Sequence, residues 1–71
     1  MVWRYTTSVG TFYIRAGRGD TWLFLGRDRL NTYPSPQTAA DHVAIHAVGH
    51  SQWDWIEESV PWDLGKWDRL R

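Results

Sequence analysis

Tyr33-Pro34-Ser35-Pro36-Gln37-Thr38-Ala39-Ala40-Asp41-His42-Val43-Ala44-Ile45-His46-Ala47-Val48-Gly49 is the stretch whose reading decides the fold. Pro34 holds Tyr33 extended, Ser35 offers a side-chain oxygen suited to a helix N-cap, and Pro36 at the first helical position gives up no intrahelical hydrogen bond. Beyond it Ala39, Ala40, Val43, Ala44, Ala47 and Val48 recur at three- and four-residue spacing, a narrow stripe of small apolar side chains. Gly49 supplies a left-handed residue to close the run. The pattern predicts a helix over 36–48. A stripe of alanine and valine fills little space, so the helix must lie close against a surface whose side chains are large.

The preceding segment provides that surface. Residues 2–7 alternate rings with polar side chains and read as a strand, with a turn at 8–10. Residues 11–16 form a second strand, with Phe12 and Ile14 on one face and Tyr13 and Arg15 on the other. Gly17-Arg18-Gly19-Asp20 is the loop of a hairpin, and its Arg-Gly-Asp triplet is explained by the turn. The third strand, 21–25, is apolar on both faces, Trp22 and Phe24 against Leu23 and Leu25, as for a central strand covered on both sides. After a turn at 26–28, residues 30–33 read as a short fourth strand or an extended approach to the helix.

The segment after the helix is rich in tryptophan. Residues 50–58 fit either a short helix capped by Ser51 or a strand with Trp53 and Trp55 on one face. Pro61 ends that element, and Trp62, Leu64, Trp67 and Leu70 suit one helical turn followed by a tail that docks over Leu23 and Leu25. The predicted class is α+β: a three- to four-stranded antiparallel meander packed on one main helix, with a tryptophan-rich C-terminal segment as a short helix or wrap-around tail. At 71 residues the chain makes one domain, 1–71, near the lower limit for a single core without disulfides or metal. Its 6 tryptophans, 3 tyrosines and 2 phenylalanines make such a core feasible, each ring burying roughly 150–250 Å².

Composition narrows the function classes. With no cysteine, a disulfide framework and a thiolate zinc site are excluded and a reducing, cytoplasmic setting is expected. No apolar run is long enough for a membrane span, and the opening Met1-Val2-Trp3-Arg4 does not read as a signal sequence, so no membrane partner is expected. Net charge is zero but unevenly distributed. Residues 1–33 carry five arginines against Asp20 and Asp28, a net +3, and residues 34–71 carry the balancing −3.

Three constellations bear on chemistry. His42, His46 and His50 recur every fourth residue, a spacing that serves metal ligation. The glutamate of a His-Glu-x-x-His motif is absent, and the ordinary amphipathic pattern puts them on the solvated side of the helix, so no metal and no other cofactor is expected. Asp54, Glu57, Glu58, Asp63 and Asp68 form an undirected acidic set with no nucleophile motif or phosphate loop beside them; no catalytic residue is assigned and no enzyme is expected. Arg4, Tyr13, Arg15, Arg18, Arg27 and Arg29 interleave rings and guanidinium groups along the strands, the mixture with which a sheet grips nucleic acid.

Trp22-Leu23-Phe24-Leu25-Gly26 followed by Tyr33-Pro34-Ser35-Pro36-Gln37-Thr38-Ala39-Ala40 resembles the AP2-like DNA-binding domains of plant factors and phage integrases. In those, a strand ending in Leu-Gly precedes a tract with paired alanines. The resemblance covers about a third of the chain and implies a sheet packed on one helix, with the strands as the DNA-reading element. The chain also looks like short proteins common in bacterial and phage genomes, which implies no particular activity. Two readings follow. The first is a noncatalytic protein-interaction module that presents Trp53, Trp55, Trp62 and Trp67 to a protein partner or a second copy. The alternative is a nucleic-acid-binding domain that uses the basic and aromatic sheet face.

Overall fold

The computed structural model describes residues 1–70. Four strands, β1 (Val2–Thr7), β2 (Gly10–Ala16), β3 (Thr21–Leu25) and β4 (Asp28–Tyr33), run as an antiparallel meander into helix α1 (Pro36–Ala44). A one-turn helix α2 (Ser51–Asp54) and a 3₁₀ turn (Leu64–Lys66) follow, and the chain closes with β5 (Asp68–Leu70). The architecture is α+β. The meander has the predicted fourth strand, and β5 adds a fifth beside β1, giving the sheet order β4-β3-β2-β1-β5. The wrap-around tail is thus a strand, because β1 would otherwise leave its outer backbone groups unpaired at the sheet edge.

Strand alternation sorts the side chains. Register pairs Trp3 with Ile14, Tyr5 with Phe12, Ile14 with Leu23 and Phe12 with Leu25, which places all of these on one face. Ala39, Ala40 and Val43 of α1 join the same cluster, with Val48, Trp53, Val60 and Trp67. The tail's Trp67 packs on Tyr5 of β1 and joins the cluster that holds Leu23 and Leu25, and α1 lies on that same side. Trp22 and Phe24, read as facing a second cover, sit instead on a face that no element covers. Between β3 and β4 the register slips at Leu23/Phe24: Asn31 pairs with Leu23 and Arg29 with Phe24, leaving Leu30 as the extra residue of a bulge, packed against the core.

Helix α1 begins as the sequence dictates. Ser35 is extended, and its hydroxyl oxygen accepts from the Thr38 N–H at 3.2 Å. It ends earlier than the alanine stripe predicts, at Ala44 instead of Val48. His46, not Gly49, takes the left-handed position after the helix (φ 58°), with its N–H donated to the Val43 carbonyl and that of Ala47 to the His42 carbonyl. These two bonds form a Schellman close. A left-handed conformation is unfavourable for a residue with a Cβ, and the His46 side chain explains why it is held. Its ring stacks on Trp53 at 4.4 Å and 14°, with its nitrogens 2.8 Å from the Trp53 carbonyl and 2.7 Å from that of Glu58. Both partners are carbonyl oxygens, so the ring donates to both only when each nitrogen carries its hydrogen.

The histidines are accordingly not a solvated row. His42 sits against Tyr33 with ring centroids 4.9 Å apart, its Nδ1 2.9 Å from the Thr38 carbonyl, and the Nδ1 of His50 is buried without a hydrogen-bond partner among the described residues. Among those residues no three His, Asp or Glu side chains converge on a point a metal ion could fill. The second half of the chain is tied down by its polar groups. Asp54 accepts from the Val48 and Gly49 N–H groups, and Glu58 reaches across to the Ser8 N–H and hydroxyl in the β1–β2 turn.

His46→Ala is expected to destabilise the fold by about 2 kcal/mol or more, since the ring's hydrogen bonding and its stack on Trp53 are lost while a left-handed Cβ remains. His46→Gly should recover about 1 kcal/mol of that by relieving the backbone alone, measurable by urea denaturation of both variants. Tyr33 offers a test by pH. Burial, and secondarily the negative charge of Asp54, raise its hydroxyl above the ordinary value of 10.0. The folded state thus holds a proton that the unfolded chain releases. The contribution is complete below about pH 10 and is lost as the pH rises through the folded value. The Tyr33 hydroxyl has no partner among the described residues, so Tyr33→Phe should be at least as stable as the parent at pH 7 and lose less stability above pH 10.

Candidate nucleic-acid interface

The uncovered sheet face is laid out by pairing register. Across the strands, Asp68, Arg4, Tyr13, Phe24 and Arg29 form one row, each paired with the next. A second row, two residues further along, reads Leu70, Val2, Arg15, Trp22 and Thr32. The central strands β2 and β3 thus carry the rings, and arginines flank them. An open groove of about 280 Å³ runs between the rows, lined by Val2, Tyr13, Arg15, Phe24, Gly26 and Leu70. Its walls are mostly apolar, with one guanidinium at the rim.

The charge on this face is one-sided. Arg4, Arg15 and Arg29 project from it against the single carboxylate of Asp68, which lies 3.9 Å from Arg4 in an exposed and therefore weak pairing. No other ion pair occurs among the described residues, so Arg15 and Arg29 have no carboxylate partner there. Arg29 is nevertheless engaged, its guanidinium standing 4.6 Å from the centre of the Trp22 ring. Four of the six acidic side chains of residues 34–71 are used elsewhere: Asp54 and Glu58 on backbone and Ser8 donors, Asp63 as cap of the 3₁₀ turn, Asp41 on Gln37. Three of the five arginines of residues 1–33 thus share the uncovered face, and four of the six carboxylates of residues 34–71 are hydrogen-bonded away from it.

Of the six residues proposed to contact nucleic acid, the fold brings four onto this face: Arg4, Tyr13, Arg15 and Arg29. Arg18 lies in the β2–β3 loop and Arg27 in the β3–β4 turn, at opposite ends of the sheet, both exposed. Trp22 and Phe24 are the residues that sequence reasoning missed. A guanidinium and an indole two-residue-periodic with Tyr13 and Phe24 were the available signal, outweighed by the expectation that an apolar strand is covered twice.

The four tryptophans proposed to face a partner divide evenly. Trp53 is fully buried, edge-on to Phe12 at 5.0 Å with its indole N–H donated to the Val43 carbonyl, and Trp67 is buried against Tyr5 with its N–H on the Pro61 carbonyl. Neither is available to a partner, because a small core needs their area. Trp55 and Trp62 are 86% and 67% exposed. No helix among the described residues is long and apolar enough to cross a membrane. No protein-family model matches the chain, and comparison with curated proteins and with solved structures found no match.

Because nothing packs on the open face, its rings should be dispensable for folding. Phe24→Thr, which keeps a good strand former, is expected to cost about 1 kcal/mol. Phe12→Ala on the covered face is expected to cost about 3–5 kcal/mol, with thermal and urea melts separating the two.

Proposed function

We propose that this chain is a small noncatalytic nucleic-acid-binding module that makes its contacts through the uncovered face of the sheet. The observation that carries this reading is the segregation of Tyr13, Phe24, Trp22 and three arginines onto a face with one carboxylate, while Asp41, Asp54, Glu58 and Asp63 are hydrogen-bonded away from it. Rings provide stacking surfaces and guanidinium groups contact phosphates, a combination that favours nucleic acid over an apolar protein surface. The resemblance to AP2-like domains points to the same element, the strands. A cysteine-free chain is suited to the reducing cytoplasm, where such a partner is found.

Titration of a fluorescein-labelled oligonucleotide by polarisation at low salt tests the reading. With about three phosphates contacted, binding should weaken with salt at a log–log slope of about −2 to −3, and Arg15→Glu combined with Arg29→Glu should abolish it. No binding at 20–50 mM salt, roughly the low end of the range over which such contacts are strongest, would sink the proposal.

Trp55 and Trp62 support a second reading, that the helical side docks a protein or another copy of the chain. Sedimentation equilibrium distinguishes the two. A Trp55→Ser/Trp62→Ser variant should reduce self-association only if this side is the contact, and leave oligonucleotide binding unchanged.

A further inference from the structure

The sheet face shows which form of nucleic acid it fits. We infer that the ligand is single-stranded, held as a two-nucleotide step, and that Arg29 must leave the Trp22 ring for the second base to bind. This rests on the nucleic-acid reading above.

A duplex offers phosphates and base edges, while its base faces are hidden in the stack. What this face offers is the reverse: ring faces at its centre and few long donors. Tyr13 and Phe24 are directly paired across β2 and β3, and Trp22 lies one row further along. Two residues of strand separate these rows by about 6.6 Å. One base over the Tyr13–Phe24 pair and the next over Trp22 is the arrangement that uses every ring, with Arg15, the cross-strand partner of Trp22, at the rim of the groove beside Tyr13 and Phe24. Neither base can be in a duplex while it stacks there.

The Trp22 position is already taken. The Arg29 guanidinium, 4.6 Å from the ring centre, covers it as a cation covers an aromatic face. A base arriving there displaces an intramolecular partner, and the freed guanidinium, exposed and without a carboxylate among the described residues, is positioned for a phosphate. Arg29 thus opposes a bare base and favours a nucleotide chain. That difference in sign is what a merely structural contact would not produce.

The test uses the full chain and four probes: a ten-nucleotide mixed-sequence strand as DNA, the same strand as RNA, the DNA duplex, and adenosine, which has a base but no phosphate. Either single strand should bind at least about tenfold more tightly than the duplex at equal salt. Trp22→Leu and, separately, Phe24→Leu should weaken single-strand binding at least about fivefold, within the range known for base–aromatic stacks. Trp55→Leu, on the other side, should not. Folding of each variant is checked from its amide spectrum, and two ring variants guard against one failing to fold. Arg29→Gln should move the probes in opposite directions, binding adenosine more tightly and the oligonucleotide more weakly than the parent.

If the parent binds neither strand nor duplex, the nucleic-acid reading itself fails. If it binds the duplex as tightly as the strand, or both ring variants bind like the parent, that reading survives and the single-strand inference is overturned. Weakening of both adenosine and oligonucleotide by Arg29→Gln would overturn the displacement step.

Discussion

The fold depends on how one large side chain, Trp53, is buried. It sits on the one-turn helix α2, and a helix that short has no stability of its own in water. Its ring reaches the sheet at Phe12, its N–H caps a carbonyl in the last turn of α1, and its flat face carries His46. Three elements that are each too small to persist are thus joined through one residue. Burying an indole contributes on the order of several kcal/mol by area, and the hydrogen bond of its N–H to the Val43 carbonyl compensates the desolvation of that group. Once this contact is made, α1 must end where the His46 ring can reach it.

The same contact explains why one sheet face is bare. The helices, the 3₁₀ turn and the tryptophan-bearing loops all join the cluster that holds Phe12, Ile14, Leu23 and Leu25, and no element among the described residues lies on the reverse side. A larger protein would place a second helix layer there. Here the outward positions of β2 and β3 keep rings that are half-buried by their neighbours, with arginines around them. Asp54 and Glu58 are held by backbone N–H groups and Ser8 away from those arginines, so the electrostatic asymmetry is fixed partly by hydrogen bonding.

Much of the fold was legible in the sequence, for physical reasons that differ by element. The start of α1 is written locally in Ser35 and Pro36, and the faces of β2 in the strict alternation from Phe12 to Arg15. The end of α1 was not legible, because a tertiary stack overrides the preference for glycine in a left-handed site: Gly49, the expected terminator, has φ 77° but serves the next turn, and His46 does the closing. β5 escaped notice because three residues, Asp68–Leu70, carry no periodic signal and exist as a strand only through β1. The candidate interface was half legible. Its arginines and Tyr13 could be read from alternation, whereas placing Trp22 and Phe24 beside them required knowing that α1 and the tail share a side.

The extra residue at Leu30 has a consequence for how the molecule behaves in company. β4 is an edge of the sheet, and a regular edge bearing unpaired backbone groups is a template on which another chain can continue the ladder. The bulge puts that edge out of step partway along, and a neighbour with even spacing cannot match it for more than a few residues. On the β4 side, continuation of the ladder by a neighbouring chain is thereby limited to short runs.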